Sequence, residues 1–269
     1  MSEPPFAVGV VIPARDEVDL VAACVDSVLA ARLPAETERW VVVVADRCAD
    51  DTAEVARRRL GRHGQVCLGP GGSVGAARAV GAAIALRRLV RPRRPIERTW
   101  LLTTDADSTV PRDWTVAHLR HAEAGAMAVA GTVTVASFDE HPSHVEGIWA
   151  ERYALAGPRE SRRQVDPHRP GEAPGPRLHA TRPRPRPHAP AHPHVHGANL
   201  GVRADVYLEV GGWRPLVTGE DHDLWDRVRA SGRPVTSTME VPVVTSGRRR
   251  GRAPAGFADL LTSLGGRAP

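Results

Sequence analysis

Residues 99–107 read TWLLTTDAD, an apolar run that passes directly into two carboxylates. Such a run is typical of a strand, and its acidic end predicts a site where the strand leaves its sheet. Side chains at positions i and i+2 of an extended chain point the same way. Asp105 and Asp107 can therefore converge on one metal ion or on one phosphate–metal complex.

Two upstream segments have the same layout. Val8–Ile12 and Trp40–Ala45 are continuous apolar runs, typical of strands buried on both faces, and a helical pattern follows each of them. This alternation predicts an α/β fold on a mostly parallel sheet. In such sheets ligands bind at the carboxyl ends of the strands, where Arg15, Glu17 and Asp46 stand. The alternative is that the polar residues at each strand end only cap the next helix.

The rest of the chain also shows patterns of helices and strands. Helices are predicted near residues 20–29, 50–60, 73–90, 143–156, 220–231 and 254–264, with one more beginning at Pro111. Further strands are predicted at residues 66–68, 127–136 and 241–245, and regular structure of unassigned type at residues 198–203 and 205–210. The helix at 73–90 is rich in Ala and Gly, which indicates that another element packs closely against it.

The distribution of charged residues indicates which classes of partner to expect. The chain has 269 residues, enough for one sizeable core, and its 36 basic residues are all arginine. Residues 157–196 hold eight Arg against three acidic residues, an excess equal to the formal net charge of +5. The rest of the chain is balanced, so no basic face for nucleic acid is expected.

The segment 157–196 also contains ten Pro and six His among its forty positions. It cannot bury enough apolar surface to offset its ordering entropy, so it is predicted to be a mobile insertion, ordered at most near its ends. Its clustered arginines would favour peripheral contact with an anionic membrane. Histidines at 192, 194 and 196 alternate before Gly197, and His196 is a candidate site residue because it adjoins the segment Gly197–Asn199.

The cysteines and the N-terminus predict a cytoplasmic protein. Cys24, Cys48 and Cys67 are odd in number and lack CxxC spacing, so neither a disulfide framework nor a zinc site is expected. The first residues lack the basic and apolar segments of a signal peptide. No apolar run approaches the roughly 20 residues that a transmembrane helix needs.

A second acidic cluster, Glu220–Asp223, opens a predicted helix. Exposed backbone N–H groups at a helix start favour the charged carboxylate, the form that a general base requires. One cluster that can hold a divalent cation and another that can take a proton together indicate metal-assisted group transfer.

Six segments in order carry a resemblance to a known family. They are VVIPARDE (10–17), VVVVADRCADDT (41–52), GGSVGAARAVGAA (71–83), LLTTDADS (101–108), HGANLGVRADVYLEVGGW (196–213) and GEDHDLW (219–225). The chain resembles family 2 glycosyltransferases over residues 7–135 and 197–260. The resemblance implies the A-type nucleotide-diphospho-sugar transferase fold, a single Rossmann-like domain with a mostly parallel sheet. Within 1–269 it implies a nucleotide-sugar-binding half at 7–135, the insertion at 157–196, and an acceptor and catalytic-base half at 197–265.

The resemblance also implies roles for individual residues. The nucleoside side would comprise Pro13, Arg15, Glu17, Asp46 and Arg78. Asp105 would lie near the ribose and the metal, and Asp107 would bind the metal, Mn²⁺ or Mg²⁺. Asp221 would be the catalytic base and Glu220 would lie near the acceptor. Asn199 and the turn 211–213 would belong to the sugar and acceptor side.

The expected activity is transfer of a sugar from a nucleotide-diphospho-sugar, with a UDP-sugar as the expected donor, to an unidentified acceptor hydroxyl with inversion. The Q-x-x-R-W motif of processive members is absent, and residues 246–252 read SGRRRGR instead. Arg249 and Arg252 are predicted to clamp the diphosphate, unless the loop is only a solvated basic segment. The alternatives are a metal-dependent nucleotidyltransferase, which would show a Gly-rich basic loop where this chain has PARDE, and a degenerate binding module, which would have lost acidic residues that are present here.

Overall fold

The computed structural model describes residues 5–91, 95–155, 192–254 and 256–266. Eight strands form one sheet in the order β3-β2-β1-β4-β7-β6-β8-β5. The strands are β1 (Ala7–Ala14), β2 (Glu38–Ala45), β3 (Gly64–Leu68), β4 (Thr99–Thr103), β5 (Ser108–Thr109), β6 (Ala128–Val135), β7 (Leu200–Arg203) and β8 (Val235–Thr245).

The sheet is mostly parallel, as the alternation of apolar runs and helical patterns predicts. Four of the seven neighbouring pairs are parallel: β1 with β2, β1 with β4, β2 with β3, and β6 with β8. β7 is antiparallel to both of its neighbours, β4 and β6, and β5 is antiparallel to β8. The parallel arrangement places the ends of β1, β2 and β4 on one edge, with Ala14 opposite Ala45 and Val11 opposite Thr103.

Helices cover both faces of this sheet. They are α1 (Val21–Ala30), α2 (Thr52–Leu60), α3 (Val74–Leu89), α4 (Trp114–Glu123), α5 (His144–Leu155), α6 (Ala204–Glu209), α7 (Glu220–Ala230) and α8 (Phe257–Gly265). Alternate residues of β1 belong to two separate cores. Val10 and Ile12 belong to a core that includes residues of α1, α2, α4, α5 and α8, whereas Val11 belongs to a core that includes residues of α3, α6 and α7.

The close packing predicted for the helix at 73–90 is present. The side chain of Ser73 caps α3 by accepting a hydrogen bond from the Ala76 N–H (3.1 Å). At Gly81 a Cβ atom would collide with Val11 on β1, so glycine is required for the helix to approach the strand this closely.

Several element boundaries differ from the sequence-based prediction. β8 begins at Val235, six residues before the predicted strand, because the extra residues continue the parallel ladder with β6. The segment 198–203 is divided between a 3₁₀ turn at Gly197–Asn199 and β7, and residues 204–209 are helical.

The predicted insertion at 157–196 lies outside the described residues except for its end, residues 192–196. Across the ranges that the structure describes, the helices are all too short or too polar to cross a lipid bilayer.

Candidate active site

A cavity of about 490 Å³ opens at the carboxyl ends of β1, β2 and β4. The structure brings most of the residues singled out from the sequence to its wall. These are Pro13, Arg15, Glu17, Asp46, Arg78, Asp105, Asp107, Glu220, Asp221, Arg252 and His196. Residues separated by more than 200 positions in the chain therefore share one cavity, whose volume lies within the range usual for small-ligand sites.

Asp46 follows the last residue of β2 and is 8% exposed. Its backbone N–H donates to the Ala14 carbonyl (2.8 Å), so the ladder between β1 and β2 fixes its position. Its Oδ1 accepts a hydrogen bond from the Gly71 N–H (2.7 Å). This bond ties the loop before α3 to the cavity floor and leaves the carboxylate facing the cavity.

Arg78 on α3 is the buried centre of the cavity wall. Its guanidinium pairs with Glu220, donates from Nη2 to Asp105 Oδ1 (2.5 Å) and donates from Nε to Thr103 Oγ1 (3.2 Å). The Trp213 ring lies 5.3 Å from its Cζ atom. One arginine therefore joins β4, the acidic loop after it and the start of α7, so its contacts are mainly within the protein.

Gly197 permits this burial of Arg78. A Cβ atom at position 197 would collide with the guanidinium group. The small residue at this position is therefore required by the packing of the arginine against the 3₁₀ turn before β7.

A second arginine, Arg248, lies between two acidic residues of the cavity. It donates to both oxygens of Glu17 (2.8 and 2.5 Å), and its Nη2 lies 3.0 Å from Asp107 Oδ2. Two parallel N–H···O bonds to one carboxylate are the strongest geometry available to an arginine. Local sequence does not distinguish Arg248 from the other arginines of the SGRRRGR loop, because only the folded chain shows which of them turns inward.

The other two loop arginines are placed differently. Arg252 lines the cavity and donates from Nη2 to the Asp16 carbonyl (2.9 Å). Arg249, predicted from the sequence as a diphosphate ligand, is exposed and is not part of the cavity wall. Its backbone N–H donates to Glu140 (3.0 Å), which holds this part of the loop away from the cavity.

The acidic pair after β4 fits a divalent cation. Burial and the charge of Asp105 raise the pKa of Asp107 to about 6, so added positive charge beside it is favourable. Arg78 holds one Asp105 oxygen and Arg248 lies beside one Asp107 oxygen, and both carboxylates line the cavity. A single carboxylate completed by substrate phosphates is a common Mg²⁺ arrangement. Asp107, with Asp105 beside it, would therefore hold the ion.

Another group of potential ligand atoms, from Asp16, Cys48 and Asp50, lies together within 4.8 Å. Its carboxylates already hold loops in place. Asp16 Oδ1 accepts from the Ala49 N–H (2.7 Å), and Asp50 accepts from the N–H groups of Val18 (3.2 Å) and Thr52 (3.0 Å). These hydrogen bonds give the two carboxylates a structural role, which is to hold the surrounding loops together.

Asp221 is oriented by two backbone donors at the start of α7. Its Oδ2 accepts from the Gly197 N–H (2.7 Å) and its Oδ1 accepts from the His222 N–H (2.8 Å). The neighbouring Glu220 is 5% exposed and is directed into the ion pair with Arg78, so Asp221 is the more accessible of the two.

The prediction that Asn199 lies on the sugar side is wrong. Asn199 is fully buried; its Nδ2 donates to the carbonyls of Thr132 and Val241 (both 2.9 Å), and its Oδ1 accepts from the Trp114 indole (2.8 Å). The side chain thus connects β6, β8 and α4. Trp213 is also absent from the cavity wall and packs behind Arg78.

His196 reaches the cavity at the end of a row of rings. His192, His194 and His196 stack in sequence, with centroids 5.9 and 6.0 Å apart. His192 is buried, and its ring Nε2 lies 3.0 Å from the Thr238 carbonyl. Burial lowers the pKa of His196 to about 4, so the ring is uncharged at neutral pH.

Solved structures share this fold. TarS 1–349 of S. aureus in complex with UDP-GlcNAc is 12% identical, with a TM-score of 0.58 over 93% of this chain and 61% of that one. The mannosyltransferase PcManGT of Pyrobaculum calidifontis, in complex with GDP-Man and Mn²⁺, is 17% identical, with a TM-score of 0.58 over 97% and 70%. At these identities the likeness shows the fold alone. The chain thus spans about three fifths of the TarS fragment, and a search of curated protein sequences found no match.

Family assignment follows from the sequence itself. The profile of the family described as "Glycosyltransferase like family 2" matches residues 4–255, which is nearly the whole chain. This match agrees with the order of the six motifs and with the observed sheet. The chain belongs to glycosyltransferase-like family 2.

Proposed function

We propose that the chain transfers a sugar from a nucleotide-diphospho-sugar to an acceptor hydroxyl, with inversion at the anomeric carbon and with Mn²⁺ or Mg²⁺ as cofactor. The observation that carries this proposal is the meeting of Asp46, Asp107, Arg248 and Asp221 on one cavity. The complexes of similar folds with UDP-GlcNAc and with GDP-Man support a nucleotide-sugar donor. A UDP-sugar is the donor that we propose, and the cytoplasm is the proposed compartment.

On the donor side, Asp46 supplies an acceptor for N–H groups of the nucleobase, next to Pro13 and Arg15. Arg248 and Arg252 supply guanidinium groups whose geometry matches phosphate oxygens. Asp107 would hold the divalent cation, whose charge would offset the negative charge that develops on the departing diphosphate. Glu17 holds Arg248 by two hydrogen bonds and thereby positions it.

On the acceptor side, Asp221 takes the proton of the attacking hydroxyl. Its two backbone hydrogen bonds fix the carboxylate, so no reorientation is needed during the reaction. Attack from the Asp221 side and departure of the diphosphate toward the arginines make a direct displacement. Such a displacement inverts the anomeric carbon.

Replacing Asp107 by alanine should abolish the Mn²⁺- or Mg²⁺-dependent part of nucleoside diphosphate binding and leave the fold intact. Asp107 borders the cavity rather than the core, so little packing is lost. Isothermal titration calorimetry with UDP, with and without the ion, measures the effect. Unchanged metal-dependent affinity in the variant would remove Asp107 from this role.

Replacing Arg248 by alanine should weaken UDP binding by roughly ten- to a hundredfold, the usual effect of losing charged hydrogen bonds to a ligand. Uridine binding should change much less, because uridine carries no phosphate. Loss of Arg248 also removes the nearest guanidinium from Glu17 and Asp107, which adds to the repulsion of the diphosphate.

Arg249→Ala is the matched control, since Arg249 is adjacent in sequence but lies outside the cavity wall. It should leave UDP affinity within about twofold of the unmodified protein, as expected for an exposed side chain. Equal losses for UDP and uridine in Arg248→Ala, or a larger loss in Arg249→Ala, would contradict the assignment of Arg248 to the diphosphate.

A further inference from the structure

The cavity has a second wall of different chemistry, formed by α8 and three other segments. Phe257 and Leu260 from α8, Val195 before β7, Val133 of β6 and Val217 before α7 all line it. None of these side chains carries a charge or a hydrogen-bonding group. The acidic and basic side chains of the cavity come instead from the ends of β1, β2 and β4, from α3, from the start of α7 and from the SGRRRGR loop.

We infer that the acceptor carries an apolar group beside its reacting hydroxyl, and that this group binds against Phe257, Leu260 and Val217. This inference rests on the proposed sugar transfer. It adds the chemical class of the acceptor: an alcohol or glycoside with a hydrocarbon portion, in contrast to a purely polar sugar.

The position of the wall relative to Asp221 supports this inference. Asp221 is bonded to the backbone N–H of Gly197, and the preceding residue is His196. The His196 ring meets the edge of Phe257, with centroids 6.2 Å apart. His196 therefore lies between the Asp221 region and Phe257, so the apolar wall begins one side chain away from the position of an acceptor hydroxyl at Asp221.

The wall is supported by the protein core. Phe257 packs edge to face against Trp149, with ring centroids 5.2 Å apart, and Leu261 and Leu264 of the same helix are buried. Because α8 is fixed by its buried residues, Phe257 and Leu260 are presented in a defined arrangement. The uncharged state of His196 at neutral pH extends the apolar character of this part of the cavity.

The apolar wall reaches the protein surface at the segment before α7. Val217 is 47% exposed and its neighbour Leu216 is 38% exposed, at the approach to α7. A nucleotide-sugar donor offers mainly hydroxyl and phosphate groups, which need hydrogen-bonding partners that these side chains lack. The acceptor is the remaining substrate, so its apolar portion is the occupant that this wall fits.

Two acceptor analogues with the same sugar test the inference. Octyl β-glucoside, used below its micelle concentration, and methyl β-glucoside differ only in their apolar chain. Equilibrium binding in the presence of UDP and Mn²⁺ should be at least about tenfold tighter for the octyl compound, because each buried CH₂ contributes favourably. Equal binding of the two, or no binding of the octyl compound, would overturn the inference.

Two variants locate the effect. Val217→Asn and Leu260→Asn should each reduce the octyl preference by several-fold without changing UDP affinity. Val217 is exposed, so its variant should fold even if Leu260→Asn does not. Leu208→Asn is the control, since Leu208 is 54% exposed and lies outside the cavity wall.

The outcomes separate this inference from the proposed function. UDP binding without an octyl preference would overturn the apolar acceptor and leave sugar transfer standing. An octyl preference that persists in Val217→Asn and Leu260→Asn would place the hydrocarbon elsewhere and would also overturn the inference. Failure to bind any nucleoside diphosphate would overturn the proposed function itself, together with the inference that rests on it.

Discussion

Replacing Asp221 by asparagine should lower turnover by about 10²–10⁴-fold and leave donor affinity nearly unchanged. The amide keeps the size of the carboxylate, and its oxygen can still accept the hydrogen bond from the Gly197 N–H. It cannot take a proton from the acceptor hydroxyl, so the loss falls on the chemical step. Initial rates at saturating donor, combined with calorimetric donor binding, separate the two quantities.

Asp226→Asn is the matched control for this change. Asp226 lies on the same helix, α7, but its side chain is 71% exposed and it is not part of the cavity wall. Its variant should retain near-normal turnover. If Asp221→Asn were as active as Asp226→Asn, Asp221 would not be the base.

Replacing Arg78 by methionine should destabilise the folded chain by about 3–5 kcal/mol, the usual cost of removing one partner of a buried ion pair. Arg78 and Glu220 are 3% and 6% exposed at their side chains, so Glu220 would be left as a buried, uncompensated charge. Asp105 is affected less, because its side chain is 37% exposed and water can reach it. Urea unfolding followed by circular dichroism measures the change.

A second substitution distinguishes this cause from lost packing. In the Arg78→Met background, Glu220→Gln removes the uncompensated charge and should restore part of the lost stability. In the unmodified background the same change leaves Arg78 without one partner and should be destabilising. Equal effects of Glu220→Gln in the two backgrounds would show that the pair does not couple, contrary to the contacts described.

The strands and most helices were predictable because their signals are local. Val8–Ile12 and Trp40–Ala45 are too apolar to be anything but buried, and the polar residues after them had to share one edge once the strands were parallel. The extent of β8 was not predictable from its own residues. Its first half, from Val235, is extended because β6 offers it a parallel partner.

The site residues also divide into those that local sequence predicts and those that depend on distant parts of the chain. Glu17, Asp46 and Asp107 lie one to four residues beyond the ends of β1, β2 and β4, so the parallel strands bring them to the cavity. Arg248 was missed, and Asn199 was misplaced, because their surroundings come from distant parts of the chain. Arg248 meets Glu17 across 231 positions, and the Asn199 amide is buried between carbonyls of β6 and β8. Neither contact has a signature in the local sequence.

The most direct test of sugar transfer is the identity of the products released from nucleotide-diphospho-sugars. UDP-sugars and GDP-mannose should be incubated with the protein, Mn²⁺ and octyl or methyl glycosides, and the nucleotides separated by anion-exchange chromatography. Sugar transfer predicts accumulation of a nucleoside diphosphate in step with glycosylated acceptor, and loss of both products in Asp221→Asn. Release of a nucleoside monophosphate with a sugar phosphate, or no turnover of any donor, would contradict it.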